Sequence, residues 1–188
     1  MGDEFDAPAF RRGSRIKPSG GNRLPRQGRL DMRVGIGYDI HRFQKGRPLI
    51  LGGVEIAGET GLGGHSDADV LLHAIMDALL GAAGLGDIGC FFPPDDSTYA
   101  GADSRQLLAQ TSQMIAQVGY AVWSVDATII AERPRLSPHI RSMRQRIAGT
   151  LDLDESRVSV KATTNEGIGD IGRGKAIAAL AVAVLQER

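Results

Sequence analysis

The chain lacks the features that mark several common classes of protein. Cys90 is the single cysteine among 188 residues, so an internal disulfide is excluded and a reducing compartment is indicated. The 22 Lys and Arg residues balance the 22 Asp and Glu residues, which suggests no broad attraction to nucleic acid or membrane. No apolar run approaches the roughly 18 residues that a membrane helix needs. We therefore expect a cytoplasmic protein with a buried core and without nucleic acid or membrane partners.

Residues 1–31 differ in composition from the rest of the chain. They carry seven Lys or Arg and four acidic residues, with Gly, Pro and little hydrophobic periodicity. They contain no apolar core of a signal peptide, and their early acids argue against an organelle transit peptide. We interpret them as a disordered or vector-derived extension. Residues 32–188 then form one domain, which starts at Met32 directly before an apolar strand.

Strand and helix patterns alternate through this domain. We predict strands over 33–41, 48–56, 121–132 and 157–164, and helices from about 66 to 81, over 104–119, over 138–151 and over 175–186. Ser66 with Asp69 resembles a capping box, Ser104 is expected to cap the second helix, and Pro138 suits the first position of the third. The order fits a two-layer α/β sandwich of ferredoxin-like type, with a mixed sheet of about four strands and helices on one face. The all-apolar last helix favours a homo-oligomer.

Three polar residues form a candidate metal site. Asp39 and His41 lie two positions apart on a predicted strand, so both side chains point to the same face. His73, on the following helix, could meet them and complete a three-ligand set with one open position, as in catalytic zinc sites. Asp69 or Asp77, one turn away on either side, could orient the imidazole. Isolated histidines are more often packed or surface residues, but the combination, together with His65 at a helix start, favours a metal.

Residues 167–172 spell G-x-G-x-x-G, the pattern of dinucleotide-binding loops. The chain ends soon after it, without the further strand and the acidic residue that bind the dinucleotide ribose. A Rossmann interpretation is therefore disfavoured. The loop, preceded by Thr164 and Glu166 and followed by Arg173, is better suited to binding an anion.

Five motifs occur in a characteristic order: Asp39-x-His41, His65-Ser66-Asp67, Asp87-Ile88-Gly89, Phe92-Pro93 and Lys161-Ala162-Thr163-Thr164. On these motifs the chain resembles the 2-C-methyl-D-erythritol 2,4-cyclodiphosphate synthases of the non-mevalonate pathway of isoprenoid biosynthesis. The resemblance covers essentially all of residues 32–188. It implies a ferredoxin-like fold, a homotrimer with active sites at the subunit interfaces, and a phosphorus–oxygen lyase. Such an enzyme cyclises 4-diphosphocytidyl-2-C-methyl-D-erythritol 2-phosphate and releases CMP.

The resemblance also implies cofactors and catalytic residues. Asp39, His41 and His73 would bind one Zn²⁺ per active site. Glu166 would bind a second divalent ion, Mg²⁺ or Mn²⁺, together with the substrate diphosphate. His65 would stabilise charge in the transition state and Thr164 would contact the diphosphate, so these two are the candidate catalytic residues.

A wider set of residues is implied to bind the substrate. Residues 87–89 would hold the methylerythritol portion, and the turn over 131–137 would bind cytidine from the adjacent subunit. The implied substrate contacts are Asp39, His41, His65, Ser66, Asp87, Ile88, Gly89, Phe92, Asp95, Asp96, Ala131, Pro134, Arg135, Leu136, Ser137, Thr163, Thr164, Asn165, Glu166 and Arg173.

Two alternative functions come from other classes. A zinc-dependent binding module for nucleotides or isoprenoid phosphates would keep the three ligands but would need no second metal and would show no turnover. A dinucleotide oxidoreductase would be protected against unfolding by NAD(P)H. The sequence favours the cyclising lyase over both.

Overall fold

The computed structural model describes residues 31–188, so nearly all of the extension predicted over residues 1–31 lies outside the described residues. The described part contains six strands: β1 (Met32–Arg42), β2 (Leu49–Leu51), β3 (Val54–Ile56), β4 (Tyr120–Ile130), β5 (Val158–Thr163) and β6 (Ala176–Glu187). Its helices are α1 (Val70–Ala83), α2 (Ile88–Phe91), α3 (Ser104–Gln117), α4 (Ile140–Leu151) and α5 (Gly169–Gly172). Short 3₁₀ turns cover Ser97–Tyr99 and Glu155–Arg157. No helix of this part is both long enough and apolar enough to span a bilayer.

The main sheet has four strands in the order β1-β6-β4-β5. β6 pairs antiparallel with both β1 and β4, whereas β4 and β5 are parallel and are joined through α4. The long helices pack on one face of the sheet, and residues of both layers form a common core. A mixed four-stranded sheet covered by helices on one face is therefore confirmed. The strands of the main sheet and the long helices follow the order β1-α1-α3-β4-α4-β5-β6, which differs from the β-α-β-β-α-β order of the ferredoxin-like sandwich.

The last element is a strand, so the predicted helix over 175–186 is wrong. β6 lies between β1 and β4 and is paired along almost its whole length on both sides. Ile177, Ala179 and Ala181 alternate toward the helices and are fully buried. Alanine favours helices, but tertiary pairing overrides that weak local preference in a central strand that is hydrogen-bonded on both edges. The apolar last helix, from which a homo-oligomer was inferred, therefore does not exist, and this support for an oligomer is removed.

Residues 48–56 do not form one strand of the main sheet, as predicted, but a separate hairpin of β2 and β3. Gly52 and Gly53 form its two-residue turn, and both have positive φ angles, 60° and 71°. Two successive residues with positive φ are typical of the tight turns that join hairpin strands, and glycine adopts them without strain. The Gly-Gly pair was the sequence signal for this turn.

Aspartates, not serines, cap the first two long helices. The side chain of Asp69 accepts hydrogen bonds from the backbone N–H groups of Leu71 and Leu72 at the start of α1. Asp103 caps α3 by accepting from Arg105 N. The predicted caps Ser66 and Ser104 are therefore wrong, as is Pro138 as the first residue of α4, which begins two residues later.

α1 lies unusually close to β1. A Cβ atom built on Gly37 would lie 2.0 Å from the backbone oxygen of Ala74, and one on Gly35 would lie 2.0 Å from that of Ala78. Glycine on the strand and alanine on the helix therefore allow the two backbones to approach. This approach places the carboxyl-terminal part of β1 opposite the first turns of α1.

The opposite face of β1 is apolar and exposed. Val34, Ile36, Tyr38 and Ile40 alternate on this face with exposed fractions between 43% and 67%, and Leu180 of β6 lies beside Tyr38. Contiguous apolar surface of this kind commonly marks an interaction site.

Candidate active site

Asp39, His41 and His73 meet where β1 faces α1. Asp39 Oδ2 lies 2.9 Å from His41 Nε2 and 2.9 Å from His73 Nδ1. The two ring nitrogens are 3.2 Å apart. The strand period brings the first two side chains to the helix side of the sheet, and the close contact between α1 and β1 brings the third to them. The structure thus brings together all three predicted ligands.

The triangle of donor atoms fits a divalent metal ion. One carboxylate and two imidazoles are a common ligand set of zinc. In a tetrahedral site with bonds of about 2.0–2.1 Å, donor atoms lie roughly 3.3 Å apart, close to the separations in this structure. The three residues are the one group of this kind among the described residues. Three protein ligands leave one coordination position for water or substrate.

Charge and burial have opposite effects on the pKa values of Asp39 and His73. Burial alone would raise the pKa of the Asp39 carboxyl, but the hydrogen bonds and charges of His41 and His73 hold that pKa well below its ordinary value. Burial lowers the pKa of His73, and the hydrogen bond and charge of Asp39 more than offset it, so the pKa of His73 is raised. The carboxylate is therefore ready to bind a cation, while a proton competes for His73.

A cavity of about 250 Å³ opens over the triad. Its wall includes His65 and Ser66, which were predicted to face the substrate phosphates, and the apolar side chains of Phe92 and Tyr99. His65 Nε2 donates to the backbone oxygen of Asp96 at 2.8 Å, which leaves its ring held at the rim. The cavity thus combines a metal-type ligand set, two polar groups and an apolar wall.

Residues 87–89 form another part of this cavity. Ile88 and Gly89 line it, whereas the side chain of Asp87 caps α2 by accepting from Cys90 N at 3.1 Å. Asp77 also lines the cavity and accepts the backbone N–H of Ile88 at 2.8 Å. Burial is the largest cause of its raised pKa. Asp77 therefore holds the loop in place. The prediction that it could orient the imidazole of His73 is wrong, because its carboxylate bonds to Ile88.

The two acids of the loop after Phe92 do not line the cavity. Asp95 is exposed, and the Asp96 side chain accepts from Thr98 N at 2.9 Å within its own turn. Tyr99 packs edge-on against Phe92, with ring centroids 5.3 Å apart. In this chain the loop therefore contributes Pro94 and Tyr99 to the cavity wall.

A second cavity, of about 310 Å³, lies toward the β5 edge of the sheet, at the same end of the strands as the triad. It is lined by the ends of β4 and β5 and the turn between β4 and α4, namely Ala131, Glu132, Pro134, Arg135, Leu136, Ser137, Ala162, Thr163 and Thr164. The peptide bond between Arg133 and Pro134 is cis. Arg135 Nε donates to Ser137 Oγ at 3.1 Å. The predicted cytidine residues are thus together, but no residue lines both cavities.

The segment after β5 is tied to this turn. Glu132 Oε1 accepts the backbone N–H groups of Asn165 at 2.8 Å and of Gly167 at 3.2 Å. Thr164 Oγ1 donates to Glu166 Oε1 at 2.8 Å. Glu166, the predicted ligand of a second metal, is exposed and has a positive φ of 50°. The candidate catalytic Thr164 and this carboxylate therefore lie with the second cavity, not with the triad.

Arg173 follows the glycine loop and is also exposed. Its guanidinium donates to Asp170 Oδ1 at 2.7 Å, and Lys175 Nζ lies 3.5 Å from the same oxygen. The loop contains only the four-residue helix α5 and leads into β6. Because a strand and not a long helix follows the G-x-G-x-x-G pattern, the dinucleotide interpretation lacks its structural context.

Comparisons with known proteins match this architecture. The model of the YgbB family matches residues 32–186. The 2-C-methyl-D-erythritol 2,4-cyclodiphosphate synthase of Thermosynechococcus vestitus is 57% identical over 157 residues, which is 84% of this chain and 98% of that protein. The same-named protein of Symbiobacterium thermophilum is 55% identical over 84% of this chain and 100% of its own length.

The chain belongs to the YgbB family.

Solved structures agree with this membership. The IspF protein of Plasmodium falciparum in its CDP complex superposes with a TM-score of 0.72 at 36% identity, over 84% of this chain and 97% of that chain. The bifunctional IspDF of Campylobacter jejuni superposes with a TM-score of 0.82 at 42% identity, over 85% of this chain. This chain spans only 43% of that bifunctional protein. As a YgbB-family member related to these synthases, the chain is an enzyme of the lyase class.

Sequence reasoning missed several residues of this YgbB-family site. Glu132 was not distinguished from its turn, and Asp77 was considered only as a partner of His73. Ser104 was expected only to cap α3, yet its hydroxyl lies 3.1 Å from His73 Nε2. Asp67, part of the His65-Ser66-Asp67 motif, was given no role although it accepts from Ser104. No local signal connects Asp77 to the backbone of Ile88 or Ser104 to α1.

Proposed function

We propose that this enzyme converts 4-diphosphocytidyl-2-C-methyl-D-erythritol 2-phosphate into 2-C-methyl-D-erythritol 2,4-cyclodiphosphate and CMP, as a step of the non-mevalonate isoprenoid pathway. The observation that carries the proposal is the triad of Asp39, His41 and His73 in a cavity that also contains His65 and Ser66. The names of the curated relatives support the same reaction.

The chemistry is an internal phosphoryl transfer. An oxygen of the 2-phosphate forms a bond to the β-phosphorus, the bond between that phosphorus and the bridging oxygen breaks, and CMP leaves with this oxygen on its phosphate. No protein nucleophile is needed, so the contribution of the protein is orientation and charge. Holding both ends of a flexible substrate at once removes much of the entropic cost of cyclisation.

Asp39, His41 and His73 are the proposed ligands of one Zn²⁺, and Glu166 is the proposed ligand of Mg²⁺ or Mn²⁺ with the substrate diphosphate. When bound, these cations supply positive charge that offsets the repulsion between the two anionic phosphates. His65 and Ser66 would bind phosphate oxygens at the rim of the first cavity. His65 would add charge stabilisation in the transition state.

The remaining contacts divide between the two cavities. Ile88, Gly89 and Phe92 line the first and would hold the methylerythritol portion, with Asp87 supporting that loop through its cap. The turn from Ala131 to Ser137 would hold cytidine, a role supported by the CDP complex of the Plasmodium falciparum relative. Thr164 and its neighbours would contact the diphosphate. Asp95, Asp96 and Arg173 remain proposed contacts from the sequence resemblance.

We further propose a homotrimer in which one subunit supplies the metal cavity and its neighbour supplies the nucleotide cavity. Two observations support it. The two cavities share no lining residue within one chain. An exposed apolar face formed by Val34, Ile36, Tyr38 and Leu180 is available for burial between subunits.

The test is to incubate the zinc-loaded protein with the cytidylylated substrate and Mg²⁺ and to follow phosphorus NMR. We expect the diphosphate signals of the substrate to be replaced by those of CMP and of a cyclic diphosphate in equal amounts. Tight binding of the substrate without release of CMP would contradict the proposal and would favour a zinc-dependent binding module.

A further inference from the structure

His73 uses one ring nitrogen toward the other ligands and the second toward two buried serines. Nδ1 faces Asp39 and His41, whereas Nε2 lies 3.1 Å from both Ser66 Oγ and Ser104 Oγ. A neutral imidazole carries one proton, so it can bind a metal through Nδ1 only when that proton is on Nε2. Without a metal, Asp39 Oδ2 can accept the proton from Nδ1 at 2.9 Å; with a cation on Nδ1 the proton must lie on Nε2 and needs an acceptor there.

The hydroxyl of Ser104 can only accept a hydrogen bond from Nε2 of His73. Its hydroxyl donates to Asp67 Oδ1 at 2.5 Å, and its backbone N–H donates to Asp67 Oδ2 at 3.0 Å. A hydroxyl has a single proton, so once that proton is given to Asp67 only lone pairs remain for Nε2 of His73. Ser104 is fully buried, so no bulk water competes for these positions.

Asp67 is itself held in place as an acceptor. Its Oδ1 also accepts the backbone N–H of Asp69 at 3.2 Å, and its own N–H donates to the backbone oxygen of Ala102 at 3.0 Å. These bonds join the loop before α1 to the start of α3. Each oxygen of the carboxylate therefore accepts a hydrogen bond from a donor whose position is fixed by the backbone. The hydrogen bonds that link Asp67, Ser104 and His73 thus have a defined donor and acceptor at each step.

Ser66 lacks this constraint. Its Oγ accepts the N–H of Ala68 at 3.3 Å, and within the described residues no carboxylate accepts its proton. It can therefore donate to Nε2 as readily as it can accept from it, and it selects neither position of the imidazole proton.

We propose that Ser104, oriented by Asp67, is a positioning residue that accepts the Nε2 proton of His73 and so holds Nδ1 toward the metal position. The inference rests on the proposed function because it assumes a metal at the triad, whereas the hydrogen bonds themselves are observed in the structure. It assigns to α3 a part in the metal site, through a hydroxyl placed between the imidazole and a carboxylate.

The first test compares Ser104→Ala with a matched control on the same helix, Thr111→Val. Thr111 is also fully buried, but its hydroxyl donates to the backbone oxygen of Leu107 at 2.9 Å and is remote from the triad. Competition with a chromophoric chelator measures the affinity for zinc. We expect Ser104→Ala to bind zinc about 10- to 100-fold more weakly, the usual effect of losing such a partner, and Thr111→Val to bind it like the unmodified protein.

The second test needs no substrate. Long-range ¹⁵N–¹H correlation spectra of the zinc-loaded protein identify the ring nitrogen of His73 that carries the proton and show how fast that proton exchanges with water. We expect a slowly exchanging proton on Nε2 in the unmodified protein and in Ser66→Ala, and faster exchange of this proton in Ser104→Ala.

A proton on Nδ1 and an unprotonated Nε2 in the zinc-loaded, unmodified protein would overturn the inference, and this result does not depend on whether any variant folds. Unchanged zinc affinity and unchanged exchange of the Nε2 proton in Ser104→Ala would overturn it as well. A protein with the expected tautomer but without turnover would contradict the proposed reaction and leave the role of Ser104 intact, so the two failures are distinguishable.

Discussion

The cavity over the triad (the metal cavity) and the cavity at the turn over residues 131–137 (the nucleotide cavity) differ in how far their polar side chains are exposed. In the metal cavity, donor atoms from β1 and α1 lie within 3.2 Å of one another, and the exposed fraction of each of the three side chains is 24% or less. In the nucleotide cavity, Arg135, Ser137, Thr163 and Thr164 are all exposed. The first cavity is organised before anything binds, whereas the second presents its polar groups to whatever lies against it.

This difference follows from how each cavity is made. The proposed metal ligands are positioned by strand register and by the close contact between glycines of β1 and alanines of α1. The nucleotide cavity lies in a turn and in a segment after β5, which are tied together mainly through the Glu132 side chain. A site that joins a rigid half to an open half is suited to a subunit interface, and the predictions below test each half and then the combination.

The largest effect is expected from His73→Ala. Removing one of three ligands should abolish stoichiometric zinc binding and activity, while the protein stays folded because the replaced ring lies at the cavity wall. Metal analysis, circular dichroism and CMP release measure the three properties. His139→Ala, at the start of α4 and outside both cavities, is the control and should behave like the unmodified protein. Zinc retained at one equivalent in His73→Ala would remove this residue from the ligand set.

His65→Ala should leave zinc bound and slow the reaction. Loss of one group that stabilises charge in the transition state typically lowers kcat by about 10²- to 10³-fold. Steady-state kinetics of CMP release, with the zinc content measured in the same samples, would separate this effect from loss of the metal. An unchanged kcat would exclude His65 from the catalytic residues.

Gly37→Ala tests whether the contact between β1 and α1 organises the metal cavity. The added Cβ would lie 2.0 Å from the backbone oxygen of Ala74, so the helix must move away from the strand. Overpacking of this kind costs about 1–3 kcal/mol of the free energy of unfolding, and the displacement should also weaken zinc binding. Denaturant unfolding and chelator competition measure both.

Gly81→Ala is the matched control for this substitution. Gly81 lies on α1, and an added Cβ there meets no atom within 4 Å. Alanine at this position should stabilise the protein by about 0.5–1 kcal/mol because it restricts the unfolded chain and favours the helix. If both substitutions had the same effect, close packing would not be what positions the ligands.

Mixing two inactive variants tests whether the metal cavity of one subunit acts with the nucleotide cavity of another. His73→Ala disables the metal cavity, and Arg135→Glu places a negative charge where the anionic nucleotide should bind. If each active site takes one half from each of two subunits, random mixed trimers should contain intact sites at about one quarter of positions. Co-refolded mixtures should then recover about that share of the original rate, whereas each variant alone stays inactive. Absence of recovery in verified mixed oligomers would argue for a site within one chain.

The smallest expected effect is the pH dependence of the metal-free protein. Asp39 raises the pKa of His73 despite burial, so this group contributes stability that is fully present below 6.5 and is lost as the pH rises through its folded pKa. The pKa of Asp39 is lowered, so its contribution is present above 3.8 and is lost as the pH falls through its folded value. Burial raises the pKa of Asp69 to about 6, which also lowers the Tm as the pH rises, so comparison with His73→Ala is needed to isolate the pair. The Tm difference between the two proteins, measured by calorimetry, should be largest between pH 3.8 and 6.5. His73→Ala should flatten the decline on the alkaline side, and a Tm that rises there in the unmodified protein would contradict the argument.

The sequence predicted the metal cavity better than the rest of the fold, for a physical reason. Asp39 and His41 follow the strand period, and His73 lies on a strongly periodic helix, so local patterns alone indicated that the three could meet. The contact that actually brings them together depends on glycines of β1 and on the helix that they face, and it could be recognised only in three dimensions.

The errors lie where local preference and long-range pairing disagree. The alanine-rich segment of β6 has the composition of a helix and becomes a strand because β1 and β4 both pair with it. Ser104 is remote in sequence from His73, and its part in the site arises from the packing of α3 on α1. The nucleotide residues came from resemblance to a family, since nothing in the periodicity of an exposed turn indicates a ligand.

The central claim is that a metal cavity complete within one chain acts with a nucleotide cavity of its neighbour. A crystal structure of the protein with zinc and cytidine diphosphate tests it most directly. The account predicts an ion bound by Asp39 Oδ2, His41 Nε2, His73 Nδ1 and a phosphate oxygen, with the cytosine ring against residues 131–137 of an adjacent subunit. A metal held by other residues, or cytosine bound away from that turn, would contradict it.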